Sequence, residues 1–194
     1  MPTGVALRDV REQLFAAADR ILLSEGPTGL TSRAVTDSAG CAKGVLHRHF
    51  ADFDAFLAEY VLDRATRLDT SLADSAGTGT VVDNVTAALT GVFESVAVAI
   101  VALITFRDEL RARLRDTWPA GVPVLTEACE MIGRYLAEER ALGRLAANAD
   151  VDTLAAVLIG STHLLFADRT GDRPGPATVR HTVTTVLGAV LNPG

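Results

Sequence analysis

Seven consecutive residues, "KGVLHRH" at 43–49, hold the chain's only lysine, two of its four histidines and an arginine. Two chemistries suit such a cluster: metal ligation by imidazoles, or contact with the phosphates and base edges of a nucleic acid. Spacing decides against the first. His47 and His49 are two apart, and on a helix such residues point to nearly opposite sides, so they cannot hold one ion. His163 and His181 lie far off in sequence and complete no ligand set. The chain carries no HExxH pair, glycine-rich phosphate loop or Ser/His/Asp set at informative spacing, so the reading is of a non-enzyme with no metal and no cofactor.

The second chemistry fits the same spacing. On a helix over 43–49, Leu46 and Phe50 are four apart and turn inward together. Lys43, Gly44 and His47 then share the opposite face, with Val45 and Arg48 at its edges. Ala42 and Gly44 are small enough for the helix to approach base edges closely. Lys43 can donate to guanine and Val45 can meet a thymine methyl. His47, Arg48 and His49 can reach phosphates.

Other elements must position that helix. Residues 8–24 place Val10, Leu14, Ala18, Ile21 and Leu22 on one face, which predicts an amphipathic helix stopped by Gly26 and Pro27. Thr31 is a good N-cap for a short helix over 32–38. Gly40 ends it, as the residue best able to take positive φ. Asp52 can cap a fourth helix carrying Phe56, Leu57, Tyr60, Val61, Arg64 and Leu68. Two short helices joined by a tight glycine turn are the minimal helix-turn-helix, whose second helix enters the major groove.

From about residue 10 to 57, "GLTSRAVTDSAGCAKGVLHRHFADFDAFL" included, the sequence resembles the DNA-binding domain of the TetR (tetracycline-repressor) family of bacterial regulators. Thr31, Ala39, Gly40, Lys43, Gly44, Leu46, His49, Phe50 and Leu57 carry the likeness. It implies that Thr31, Ser32 and Arg33 open the second helix at the DNA surface, with Arg33 at a phosphate or guanine edge. It also implies that Lys43, Gly44 and Val45 lie over bases. His47 stands where the family usually has a phosphate-bonding tyrosine, and Phe53 where many members have a lysine. Both departures remove backbone contacts, so the expected salt dependence is shallower than that of a more basic member.

Whole-chain properties agree with one localised basic face. The net charge is −6 over 194 residues, with a sequence pI of about 5.2. Residues 1–50 carry six basic and five acidic side chains, leaving twelve and nineteen for the remainder. The balance argues against a general affinity for anionic membranes. Cys41 and Cys129 are too few for a disulfide framework, and with no secretory signal at the start the expectation is a cytoplasmic protein. The apolar run "VAVAIVALITF" at 96–106 is too short for a membrane span of about 20 residues. It reads as a buried central helix.

Further helices are expected at about 81–105, 107–117, 124–142, from an Asp150 or Asp152 cap onward, and 177–191. They are separated by "DSAGTGT" (74–80), "WPAGVP" (118–123) and "TGDRPGP" (170–176). The fold class is therefore all-α with about nine helices. A helix-turn-helix DNA-binding domain is expected over 1–51, and a helical effector-binding and dimerisation domain, as the resemblance implies, over 52–194. Phe93, Thr105, Phe106, Trp118, Cys129, His163 and Phe166 are candidate linings of a mostly apolar effector site. Leu158, Thr162, Leu165, Val183, Val186, Leu187 and Val190 form stripes expected to pack against a two-fold copy. The expected partners are a double-stranded operator, a small-molecule effector and a second copy of the chain. The favoured function is a repressor released from a palindromic operator by its effector. The alternative is a small-molecule-binding helical protein with weak or lost DNA binding.

Overall fold

A computed structural model describes residues 4–68, 71–167 and 173–192. Eleven helices run among these residues: α1 Gly4–Ser24, α2 Ser32–Ser38, α3 Gly44–His49, α4 Phe53–Thr66, α5 Ser71–Asp74, α6 Val81–Glu94, α7 Ala97–Phe106, α8 Asp108–Thr117, α9 Leu125–Ala141, α10 Val151–Ala167 and α11 Pro176–Leu187. No strand forms among the described residues. A single isolated antiparallel bridge joins Leu145 to Leu191. The all-α expectation therefore holds. The chain divides into two compact units, one of residues 1–65 and 99–123, the other of 66–98 and 124–194.

In the first unit, α1 packs on α2 and α2 on α3. The Thr31 hydroxyl accepts from the Ala34 amide at 3.1 Å and caps α2, a bond that contributes about 1 kcal/mol. The other end of α2 closes on Gly40 at φ +66°, where Gly40 N–H donates to Asp37 O and Cys41 N–H to Thr36 O. This paired closure requires a left-handed residue, which glycine supplies without steric cost. Asp52 caps α4 by accepting from the Ala55 amide at 2.7 Å. That bond leads the causes that hold its carboxyl below the usual carboxylate range; Arg113 also contributes. Phe15, Phe50, Phe56 and Tyr60 form a continuous ring cluster with neighbouring centroids 5.1–6.3 Å apart.

In the second unit, α9, α10, α11 and α6 pack on one another, with α5 against α6 and α9. Glu139 of α9 is fully buried. It accepts from the Gly77 amide at 3.1 Å and pairs with Arg144 at 3.1 Å. Arg144 also donates to Gly79 O, and Asn84 donates to Thr78 O and to the Tyr135 hydroxyl. The glycine-rich 74–80 stretch is thus a turn fastened to α6 by the Thr78 carbonyl, to α9 by the Gly77 amide and to Arg144 by the Gly79 carbonyl. The buried carboxylate is tolerated because Arg144 faces its charge and Oε1 accepts from the Gly77 amide, although Oε2 has no hydrogen-bond donor.

Three expectations need correction. The single helix expected over 81–105 is two, α6 and α7. Ser95 interrupts it: its hydroxyl donates to Val92 O at 2.5 Å and accepts from the Ala97 amide at 3.2 Å, replacing ladder bonds. The four-residue α5 was not anticipated. The last helix stops at Leu187 rather than 191. Beyond it, Val190 O accepts from the Ala146 amide and Asn192 N–H donates to Arg144 O, so 188–192 fold back onto the end of α9. Of the loop expected at 170–176, residues 170–172 lie outside the described set. No single described helix is long and apolar enough to cross a membrane. Only α6 and α7 together, as a bent pair, reach that length and composition, and Ile100, Leu103 and Ile104 of α7 are buried in the protein.

Candidate nucleic-acid interface

The short α3 is anchored from behind. Leu46 is fully buried and Phe50, its C-cap, is 3% exposed. The Arg11 guanidinium lies 4.7 Å from the Phe50 ring centroid and pairs with Glu59 of α4. Arg20 of α1 donates to Ser38 O at 2.8 Å and holds the end of α2 beneath the turn. With these anchors fixed, the helical period turns Ala42, Lys43, Gly44, His47 and Arg48 to the surface. Val45 and His49 are half-buried at the edges.

Lys43, His47 and Arg48 make no ion pair or side-chain hydrogen bond with any described residue. Their donors are unengaged. Ser32, Arg33 and Thr36 of α2 join Lys43, Gly44 and His47 around a surface depression of about 520 Å³. Thr36 is buried, and its hydroxyl bonds the Ser32 and Arg33 carbonyls, so it shapes the floor. Thr31 is exposed at the same end, with its oxygen committed to the cap. Arg33 is exposed but its Nε lies 3.4 Å from Asp37 Oδ2 one turn on. An exposed pair of this kind is weak and can be exchanged for a phosphate.

Two arginines went unnoticed in the sequence. Arg107, at the end of α7, donates to Asp54 at 2.8 Å and lies 5.6 Å from the Phe53 ring. Arg113 of α8 donates to Asp52 at 2.9 Å. Both grip the start of α4, the helix that follows α3. Their partners are 53 and 61 residues away, so no local pattern announces them.

The candidate effector residues are divided between the two units. Thr105, Phe106 and Trp118 belong to the first compact unit, while Phe93, Cys129, His163 and Phe166 belong to the second. Phe106 is 83% exposed and does not face inward as expected. The Thr105 hydroxyl is turned back onto Val101 O at 2.8 Å. Phe93 does meet the α10 pair: its ring centroid is 6.0 Å from His163 and 5.8 Å from Phe166. Trp118 is half-buried. So is Cys129, where burial raises the thiol above its usual range.

The expected dimer stripes need a second correction. Leu158, Thr162, Val183 and Leu187 are completely buried within one chain, where α10 meets α11 and α11 meets α6. They have no surface to offer a partner. Leu165, Val186 and Val190 are half-buried. The outer face of α10 instead shows Ala156, Val157, Gly160 and Leu164, with Val157 45% and Leu164 73% exposed. Among the described residues, no three His, Cys, Asp or Glu side chains gather to hold a metal.

A capped short helix, a glycine corner and a second helix with an exposed basic face constitute a helix-turn-helix. The whole chain, moreover, has the fold of TetR-family regulators. It is similar to a protein of Mesorhizobium loti assigned to that family, with TM-score 0.74 and 14% identity, covering 98% of this chain and 100% of the other. It is similar to reduced NemR of E. coli, with TM-score 0.73 and 18% identity, covering 96% and 100%. A third similar structure is SmeT, the repressor of the Stenotrophomonas maltophilia multidrug efflux pump SmeDEF, with TM-score 0.63 and 19% identity over 95% and 91%. No family model matches the sequence, and no curated protein matches it.

Proposed function

We propose that this chain is a ligand-responsive, DNA-binding transcriptional regulator that acts as a homodimer, and that it represses from a palindromic operator until a small, mostly apolar effector releases it. The observation that carries this reading is the unengaged basic face of α3, Lys43, His47 and Arg48, mounted on a fully buried Leu46 and Phe50. A solvated helix needs no such arrangement of small residues at 42 and 44 beside the chain's only lysine. In the proposed complex Lys43, Gly44 and Val45 lie over base edges, while Thr31, Ser32, Arg33, His47, Arg48 and His49 contact the backbone. DNA reading falls to residues 1–51, and effector binding and dimerisation to 52–194.

The length of the reading helix supports dimerisation. One six-residue helix reads few base pairs, whereas two copies read half-sites about 34–36 Å apart. The proposed contact is the outer face of α10, Val157, Gly160 and Leu164, with His181 and Thr184 on the exposed side of α11 and its C-cap Gly188. A Cβ added to Gly160 would meet nothing within 4 Å in the single chain, so its bare backbone leaves room for close approach of a copy. Repression rather than activation is favoured by likeness to a protein described as a repressor. An effector acts by preferring a dimer shape whose reading helices no longer match the operator.

The test is a gel shift of the purified protein on the DNA upstream of its own gene, against random duplex of equal length. The proposal expects a retarded band at a concentration on the order of 10³-fold lower for the specific fragment. Equal retardation of both favours a second reading, a small-molecule-binding protein with weak DNA affinity. That reading gains from Phe53, a ring where a lysine would add charge, and from the engagement of Arg107 and Arg113 by Asp54 and Asp52.

A further inference from the structure

Helical threonines and serines in this chain usually return their hydroxyl to the preceding turn. Thr36 donates to Ser32 O, Thr105 to Val101 O, Ser161 to Val157 O, Thr182 to Thr178 O and Thr185 to His181 O. Three do not. The hydroxyls of Thr86 and Thr90 on α6 and of Thr162 on α10 are shielded from solvent and bond nothing, and neither does the shielded Nδ1 of His163. Thr86 is 8% exposed and Thr162 is fully buried. Each such orphaned group raises the energy of the free protein, because it lost its water without gaining a partner.

Apart from Glu139 Oε2 on α9, the orphans fall on two helix faces. Thr86, Thr90 and Phe93 follow at spacings of four and three, so they share one face of α6. Thr162, His163 and Phe166 share one face of α10, and the two faces are joined where Phe93 meets His163 and Phe166. None of these six positions carries a formal charge, and burial lowers the His163 pKa, favouring its neutral form. Glu139, the one fully buried carboxylate among the described residues, also has an Oε2 without a hydrogen-bond donor, but its charge faces Arg144 and its Oε1 accepts from the Gly77 amide. The hydroxyls can donate and accept, neutral imidazole can do either, and the rings offer flat faces.

Building on the effector-responsive reading, we propose that this α6–α10 face binds the effector, and that the effector is a neutral, planar aromatic molecule bearing at least two hydroxyl or carbonyl groups. A carboxylate or ammonium ligand would lose its hydration without finding a counter-charge. A plain hydrocarbon would leave the hydroxyls orphaned. A hydroxylated aromatic satisfies both demands, packing against the stacked Phe93–Phe166 pair while its oxygens pair with Thr86, Thr90, Thr162 and His163.

The test uses full-length protein and three probes of similar size: 1,5-dihydroxynaphthalene, 1-naphthoate and naphthalene. Calorimetry should give the diol a dissociation constant at least about tenfold below the other two, the worth of one to two hydrogen bonds. The near-isosteric Thr162→Val and Thr86→Val variants should each weaken the diol roughly fivefold while leaving naphthalene unchanged. They should also melt higher than the parent without ligand, since each removes an orphaned hydroxyl; a merely structural threonine would melt lower when replaced. Equal binding of the three probes, no binding of the diol, or lower melting of both variants overturns the proposal. Operator binding separates the two claims. Release from operator by the naphthoate alone would sink this inference and leave the regulator reading intact. Diol binding by a protein with no operator preference would do the reverse.

Discussion

Arg64 of α4 closes a two-pronged pair on Asp19 of α1, with Nε 3.0 Å from Oδ1 and Nη2 2.8 Å from Oδ2. The Tyr60 hydroxyl donates to the same carboxylate at 2.6 Å, and burial with that neighbouring charge pushes the phenol well above its usual range. Arg64 also engages Asp63 and lies 5.8 Å from the Phe15 ring. One carboxylate therefore fixes α1 against α4 and seats the ring cluster that carries Phe50. Replacing Asp19 by alanine removes two of the partly buried guanidinium's hydrogen bonds and the acceptor of the Tyr60 hydroxyl, leaving Arg64 only Asp63. The expected loss is about 2 kcal/mol, or roughly 4–8 °C in melting temperature for a chain of this size, read from thermal unfolding by circular dichroism.

Leu46 is the pin behind the reading helix. Leu46→Ala should cost about 3 kcal/mol and abolish specific DNA binding together with the stability of the first unit. Urea unfolding and a gel shift on the same samples check both. Val45→Ala, half-buried at the edge, should leave unfolding within about 1 kcal/mol of the parent.

Lys43 and His47 should fail in different ways. Lys43→Ala removes a base contact, so the ratio of operator to random-duplex affinity should fall roughly tenfold, within the range of one base-specific pair. His47→Ala removes a backbone contact, so both affinities should fall by the same factor. Fluorescence anisotropy on the two duplexes measures the ratio. Equal losses on both duplexes for Lys43→Ala would remove it from base reading.

The sequence made some of this legible and hid the rest for identifiable reasons. The Thr31 cap, the Gly40 corner and the Asp52 cap are local chemistry, each complete within about five residues, and all three appear where the pattern placed them. The run 96–106 is apolar on every side, so periodicity has no phase there. Nothing marked Phe106 as outward or Ser95 as a break. The α10 and α11 stripes were correctly apolar. Periodicity, however, reports burial and not what buries, and Leu158, Thr162, Val183 and Leu187 are covered by their own chain. The orphaned Thr86 and Thr90 sit in an apolar stripe with no sequence signal beyond their type.

The corrected α10 face yields a mutation pair. Leu164→Glu should convert the proposed dimer to a monomer with its helix content intact, because the side chain is 73% exposed in one copy. Leu158→Glu should instead unfold the second unit, since it forces a charge into a fully buried position. Light scattering after size exclusion, paired with circular dichroism, distinguishes them. A dimeric Leu164→Glu protein would move the contact elsewhere.

His163 makes stability depend on pH. Burial depresses its folded pKa below the ordinary 6.5. Above 6.5 both folded and unfolded forms are neutral at this position and nothing is lost. As pH falls through 6.5 toward the depressed value, the unfolded chain takes the proton first, and stability declines. His163→Gln should flatten this part of the profile between about pH 7 and pH 5. Parallel melting curves of the parent and variant across that range are the check. Identical slopes would mean that His163 is not held neutral.

The chain's single lysine offers the most direct test of the reading face. Lys43 can be acetylated with a limiting amount of an amine-reactive acetyl donor such as acetic anhydride, which loses acetate, and its modification rate followed by mass spectrometry, with the protein free, saturated with operator, or saturated with random duplex. The account predicts at least about tenfold slower modification on operator, and weaker protection on random duplex, where the lysine meets only backbone. Unchanged acetylation of Lys43 in protein fully bound to operator would show that α3 does not face the DNA.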